Sequence, residues 1–433
     1  MKTWIQNGRV IDPASGLDEV ADIAISDGKI QAIVKKGESL PKGFQADKTF
    51  DAKACIVSPG LVDLQARLRE PGYEHEGMLE SELKAAVAGG VTSLVCPPDT
   101  DPVLDEPGLV EMLTFRAAKL NRSRVFPLGA LTLGLEGGVL TEMAELTEAG
   151  CVGFSQAEVP IADTQVLQRA LQYASTYGYT VWLRPQELHL GRGVAASGAL
   201  ATRLGLGGVP VAAETIALHT IFALMRSTQA RVHLCRISSA EGVALIRAAK
   251  QEGLKVTADV SINSLHLSEL DIGYFDSCAR LTPVLRQAKD RDALREGLKD
   301  GTIDVLVSDH SPVDIDAKEL PFAQAEPGAT GLELLLSLSL KWAHEMGVPL
   351  LRALDVVTTQ PARILQQATS IGHLQVGGVA DIVVFDPQEQ WQVTPEGLHS
   401  QGKHTPFGFA RSGMALPGRV KATWVHGHLA YSA

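Results

Sequence analysis

The sequence predicts an α/β protein: a (β/α)8 barrel over residues 55–365, with a small β-sandwich formed by both chain ends, residues 1–54 and 366–433. Three observations predict it. Eight short apolar runs in the middle of the chain alternate with helical patterns, the mark of parallel strands joined by crossover helices. Both ends read instead as β-type runs punctuated by turn residues. A chain of 433 residues is long enough for one large barrel plus an accessory domain.

At the N-terminal end, Trp4-Ile-Gln-Asn-Gly-Arg-Val-Ile-Asp12 places Asn-Gly between two apolar pieces, a hairpin signal. Asp22–Val34 repeats the device with Asp-Gly. In the middle, strands are expected at Ile56–Leu64, Ser93–Cys96, Val125–Pro127, Val152–Phe154, Thr180–Leu183, Val232–Leu234, Lys255–Asp259 and Ile303–Ser308. Helical patterns fall at Met78–Ala88, Thr141–Glu148, Asp163–Thr176, Ala213–Ser227, Ser239–Gln251 and Ala288–Leu298. The Gly/Ala/Leu-rich stretch Gly191–Gly208 reads as a loop wrapping a short helix. At the C-terminal end, Ala380–Asp386 and Val420–Gly427 are β-type runs, so the two ends are expected to pack together.

Composition narrows the function classes. A net charge of −11 and a pI of about 5.6 argue against a nucleic-acid binder, which needs a basic face to neutralise phosphates. The five cysteines have no CxxC spacing and read as buried reduced thiols. The N-terminus carries no signal-peptide core and no apolar run reaches bilayer length, so the expected location is cytoplasmic, away from membranes.

In such barrels the chemistry sits at the C-terminal ends of the strands. Several motifs occur in order along the chain: Arg69-Glu-Pro-Gly72, Gly89-Gly-Val-Thr-Ser93, Asp300-Gly-Thr-Ile-Asp304, Ser308-Asp-His-Ser-Pro312, Pro327-Gly-Ala-Thr-Gly-Leu-Glu333, Gln360-Pro-Ala-Arg363, Ala380-Asp-Ile-Val-Val-Phe-Asp-Pro387 and Thr405-Pro-Phe-Gly-Phe409. Each alone is weak, but the ordered set resembles the dihydroorotases of the amidohydrolase superfamily. That resemblance implies a TIM-like barrel with a composite β-sandwich. In the active family it also implies zinc, which polarises an amide carbonyl and supplies hydroxide, and a carboxylate proton shuttle.

The ligand positions depart from the family. Its His-x-His pair at the first strand aligns with Gln65 and Arg67, and its bridging carboxylate falls within Ser155-Gln156-Ala157, where there is no acid. Two further family histidines align with Arg184 and Arg236, and the Pro-His-His-Leu segment becomes Ile262-Asn-Ser-Leu265. Only the last-strand carboxylate is kept, as Asp309. A guanidinium stays protonated and has no lone pair to give a metal, so zinc is expected to be absent. Asp309 is expected to pair with one or more of Arg67, Arg184 and Arg236 in the metal's place.

The substrate-binding arginine of the family is kept as Arg69, but its Asn companion aligns with Asp99, which would repel a substrate carboxylate, and a second His aligns with Val313. Arg69 reads equally as a structural ion pair with Glu70 or Asp99. The lone His-x-His spacing, His426-Gly-His428, lies in the C-terminal β-run and reads as a turn; His75 reads as a surface residue and His233 as a satisfied core histidine.

The resemblance therefore points to a pseudo-enzyme like the non-catalytic dihydroorotase-like chain found with bacterial aspartate carbamoyltransferases. It implies a scaffold in pyrimidine biosynthesis, with the carbamoyltransferase catalytic chain as partner in a large hetero-oligomer. The competing expectation is an active cyclic-amide hydrolase with unusual metal ligands.

Overall fold

The computed structural model describes residues 2–35, 38 and 41–433; residues 1, 36, 37, 39 and 40 of the first predicted segment lie outside them. The strands of the two chain ends join one eight-stranded sheet. Its path runs from His428–Ser432 through Ala415–Val425, Ile382–Gln392, Ile56–Pro59, Thr3–Asp12 and Leu17–Ser26 to Lys29–Lys35, and Lys48–Asp51 pairs with the first strand. Strands from both ends enclose a separate apolar core that includes Ile5, Ile23, Ile25, Ile382, Val384 and Trp424. Burying these branched and aromatic side chains against each other is what couples the two termini.

Two sequence expectations need correction here. Asn7-Gly8 makes no hairpin turn. Thr3–Asp12 is one strand with a bulge between Ile5 and Gly8, where Asn7 adopts φ +63°. Asp22 accepts the Asn7 backbone N–H at 2.8 Å and Asp51 its side-chain amide at 2.9 Å, which holds the bulge in place. Asp27-Gly28, by contrast, does turn between two paired strands, with both φ values positive as a type I′ turn requires.

The second correction is the boundary at 54/55. The apolar run expected as the first barrel strand is two strands in different sheets. Ile56–Pro59 pairs with Thr3–Asp12 and Ile382–Gln392, while Leu61–Asp63 enters the barrel. Gly60 makes the crossing possible, since a Cβ there would stand 2.2 Å from Thr92.

The barrel strands are Leu61–Asp63, Val91–Cys96, Arg124–Pro127 continuing as Gly129–Ala130, Phe154–Ser155, Thr180–Leu183, Arg231–Leu234, Val256–Ser261 and Val305–Val307. Neighbours pair in parallel. The ring closes where Ala66 bridges His310. Buried Asp63 fastens that seam by accepting from the Ser308 backbone N–H at 3.0 Å and from the Ser308 hydroxyl. Burial pushes the Asp63 carboxyl up to about 6, against the pull of those Ser308 hydrogen bonds. The helical patterns are present within a residue or two of their expected ends, and Pro107–Lys119 and Leu335–Met346 are further helices not expected from the sequence. Among the described residues no helix is long and apolar enough to cross a membrane.

Candidate functional site

The loops after the barrel strands converge on one cavity of about 380 Å³. Arg67 lies four residues past the first strand, Asp99 three past the second, Glu158 three past the fourth, Arg184 one past the fifth, Arg236 two past the sixth and Asp309 two past the eighth. All of them line it. Several non-glycine residues around this mouth adopt left-handed backbone: Arg69 (φ +64°), Ala157 (+49°), Arg236 (+56°) and Asp309 (+52°). Such conformations are uncommon, and here they re-aim side chains inward at the ends of extended strands.

The centre of the cluster is Glu158, which the sequence reading did not identify. Its Oε1 accepts from Arg67 Nη2 at 2.8 Å and from Arg236 Nη2, and its Oε2 lies 2.5 Å from Arg184 Nε. Its backbone carbonyl takes a further bond from Arg184 Nη2 at 3.1 Å. Burial opposes ionisation of Glu158, but Arg184, Arg236 and Arg67 together outweigh it and hold the carboxyl well below the usual glutamate range. Glu158 lies one residue beyond Ser155-Gln156-Ala157, the stretch that aligns with the family's bridging carboxylate. Charge balance is the signal that could have found it: three buried guanidiniums need more anion than Asp309 supplies, and Glu158 is the next acid along the strand-end loop.

Asp309 pairs with Arg236 alone, at 3.2 Å; Arg67 and Arg184 are taken by other acids. Burial raises the Asp309 carboxyl to about 6 despite Arg236 and Arg67. Asp99 is not a stray charge facing a substrate. It accepts from Arg67 Nε at 2.8 Å, and Ser311 Oγ accepts from Arg67 Nη1 at 2.9 Å. Arg69 pairs with neither Glu70 nor Asp99 but with Glu76, at 2.6 Å, while donating to the Pro312 carbonyl at 2.9 Å. Glu70 instead caps the helix at Leu79 and pairs with Arg116. Gln65 is buried at the seam, where its carbonyl accepts from the His310 backbone N–H at 3.2 Å. Val313 is buried and apolar.

These residues do not fit a zinc ion. Tetrahedral zinc takes thiolate, imidazole or carboxylate donors. At this mouth three guanidiniums, which have no lone pair to give, surround the Glu158 carboxylate and occupy it, and of the positions aligned with the family's ligands only Asp309 is a carboxylate, imidazole or thiolate. Among the described residues, one group of three His/Cys/Asp/Glu side chains lies close enough to share an ion: His233, Cys235 and Asp259, deeper in the barrel. Their donors already have partners. His233 bonds Thr257 at 2.8 Å and Asp259 at 2.9 Å, and Asp259 also takes the Arg236 backbone N–H at 2.6 Å. Burial keeps the Cys235 thiol protonated, well above its ordinary value. His426 accepts from Arg124 beside the C-terminal turn, far from the mouth in the chain-end sheet, and His75 is exposed.

Residues 54–242 match the Dihydro-orotase-like family and residues 211–431 the Amidohydrolase family. The chain is 42% identical over 432 residues to a "Dihydroorotase-like protein" of Pseudomonas aeruginosa, covering 100% of both. It is 43% identical to another of that name from Pseudomonas putida, covering 100% of this chain and 99% of the relative. A protein named "Dihydroorotase" from Syntrophotalea carbinolica is 37% identical, covering 100% and 99% respectively. Among solved structures, the L-hydantoinase (dihydropyrimidinase) from Arthrobacter aurescens superposes with a TM-score of 0.86 at 24% identity, over 99% of this chain and 95% of that one.

Proposed function

The chain belongs to the dihydroorotase-like family of amidohydrolases, and from that premise we propose that it is a non-catalytic member whose metal site has been replaced by a salt-bridge cluster. One observation carries the reading: Glu158 is bonded to Arg67, Arg184 and Arg236, and these arginines stand where the family's metal ligands align. Three fixed guanidiniums repel a dication, and without a Lewis acid the amide carbonyl and the attacking water both lose their activation. The finer reading is that the barrel serves as a structural subunit for aspartate carbamoyltransferase, needed for its assembly or activity; its support is the family resemblance of the whole motif series.

The second reading is an active cyclic-amide hydrolase, favoured by full-length relatives named "Dihydroorotase" at 37–39% identity. Metal analysis of the purified chain, together with a dihydroorotate/carbamoyl-aspartate assay, separates the two. Stoichiometric zinc or turnover above background would defeat the non-catalytic reading. Co-purification with the carbamoyltransferase tests the partner: a transferase that assembles and works normally without this chain overturns the scaffold role.

A further inference from the structure

The arginines at the floor of the cavity are matched by acids, three against three: Arg67, Arg184 and Arg236 against Glu158, Asp99 and Asp309. The upper part of the same cavity differs. Arg280 and Arg286 both line it, and among the described residues neither has a carboxylate oxygen within 4.0 Å. Arg286 is only 7% exposed. Its Nε donates to the Ser238 hydroxyl at 2.8 Å and its Nη1 to the Val209 carbonyl at 3.3 Å. Glu214 reaches it only through Ser238, and that carboxylate already accepts four bonds from Ser238 and Ser239. Arg280 has one weak contact, 3.4 Å to the Leu281 carbonyl, and its buried Nε has no acceptor. Lys318, also buried, donates to the Arg280 carbonyl at 3.1 Å but lies outside the lining of this cavity. Another acid of the lining, Glu326, faces Arg69 at 3.8 Å.

A guanidinium withdrawn from water without an anion is costly, and its planar fork matches the two oxygens of a carboxylate or phosphoryl group. We propose that the upper cavity, between Arg280 and Arg286, binds a small oxyanion, the carboxylate or phosphoryl group of a metabolite. Arg286 is the buried member of the pair and Arg280 the partly exposed one. The site lies above the closed floor and needs neither metal nor turnover. The proposal rests on the non-catalytic reading only in treating that floor as filled.

Isothermal titration of the purified full-length chain with inorganic phosphate, and separately with succinate, tests the proposal and tells the two anion classes apart. Saturable one-site binding of at least one probe at millimolar concentrations is expected. Arg280→Gln should weaken it about tenfold or more, while Arg247→Gln, at an exposed pair with Asp300, should leave it unchanged. No saturable binding of either probe, or equal binding by Arg280→Gln, overturns the site. A second measurement needs no variant: phenylglyoxal labelling of the Arg280 peptide, read by mass spectrometry, should fall in the presence of the bound anion. Unchanged labelling overturns the proposal too. Failure here leaves the metal-free reading intact, since zinc content and turnover are separate readouts.

Discussion

Arg67 and Glu158 meet at 2.8 Å across the mouth of the barrel, the first following strand one and the second strand four. The pair ties distant parts of the ring to one another. It also reverses the usual polarity of such a mouth. A zinc site has a cation at the centre and lone pairs around it; this one has a carboxylate at the centre and guanidiniums around it.

Glu158→Gln should therefore be strongly destabilising, because it leaves buried guanidiniums short of their shared anion. Removing one partner of a buried ion pair costs about 3–5 kcal/mol. Glu158 keeps 31% of its side chain exposed, which places the expected loss at about 3 kcal/mol or below. Urea denaturation of the two proteins measures it. The sign with pH follows from the depressed carboxyl. The wild-type advantage is present above the ordinary glutamate value of 4.5 and is lost as pH falls toward the folded value.

Asp309→Asn should behave in the opposite way. Its carboxyl rises from 3.8 to about 6 on folding, because burial outweighs Arg236 and Arg67. At neutral pH the charge then costs the folded state about 3 kcal/mol. The amide removes that cost, keeps an acceptor for Arg236 and tolerates the left-handed backbone. The variant should be as stable as wild type, or more so, at pH 7.5. As pH falls from 7.5 to 5 the wild type takes up its proton and gains stability relative to the variant. Parallel denaturation curves at the two pH values check this, and a variant that loses ground on moving from pH 5 to 7.5 refutes it.

The barrel was legible because its strands are apolar runs of β-type residues separated by amphipathic helices, a pattern that burial on both faces imposes. The break at Gly60 was not, because Cys55–Leu64 is mostly apolar, its polar side chains Ser58 and Asp63 are themselves buried, and so are both of its strands. Periodicity carries no information where no position alternates to solvent. At the site, the arginines could be read from aligned motifs, but their partners could not. Glu158, Asp99 and Glu76 come from different loops, and the pairing depends on backbone turns such as that at Ala157.

Glu82→Ala should destabilise the seam between barrel and C-terminal segment without altering the mouth. Buried Glu82 accepts from His310 Nε2 at 2.8 Å, Ser400 Oγ at 2.6 Å and the Gln401 backbone N–H at 2.9 Å. His310 Nδ1 in turn accepts from the Gly331 backbone N–H at 3.1 Å, so its Nε2 carries the proton toward Glu82. Loss of the carboxylate leaves several buried donors unsatisfied and is expected to cost about 3–5 kcal/mol. Hydrogen exchange should rise at Ser400 and Gln401 first. Protection unchanged in that segment would contradict the assignment.

The last prediction asks whether metal binding was lost in the side chains or in the frame that carries them. Gln65→His, Arg67→His, Arg184→His and Arg236→His together would supply imidazoles at the aligned ligand positions, with Asp309 retained. If the strand ends keep the family's geometry, the combined variant should bind about one zinc ion per chain, while the wild-type chain binds none above trace by mass spectrometry of metals. The partial variant Gln65→His/Arg67→His should also fail, because Arg184 and Arg236 still present fixed positive charge. Without zinc, the full variant should be less stable than wild type, since Glu158 has lost its counterions. Added zinc should recover stability through mass action, by about 2.7 kcal/mol at a hundredfold excess over the dissociation constant. A full variant that folds by circular dichroism yet takes up no zinc would mean that the left-handed turns at Arg236 and Asp309 have moved the frame as well as the ligands.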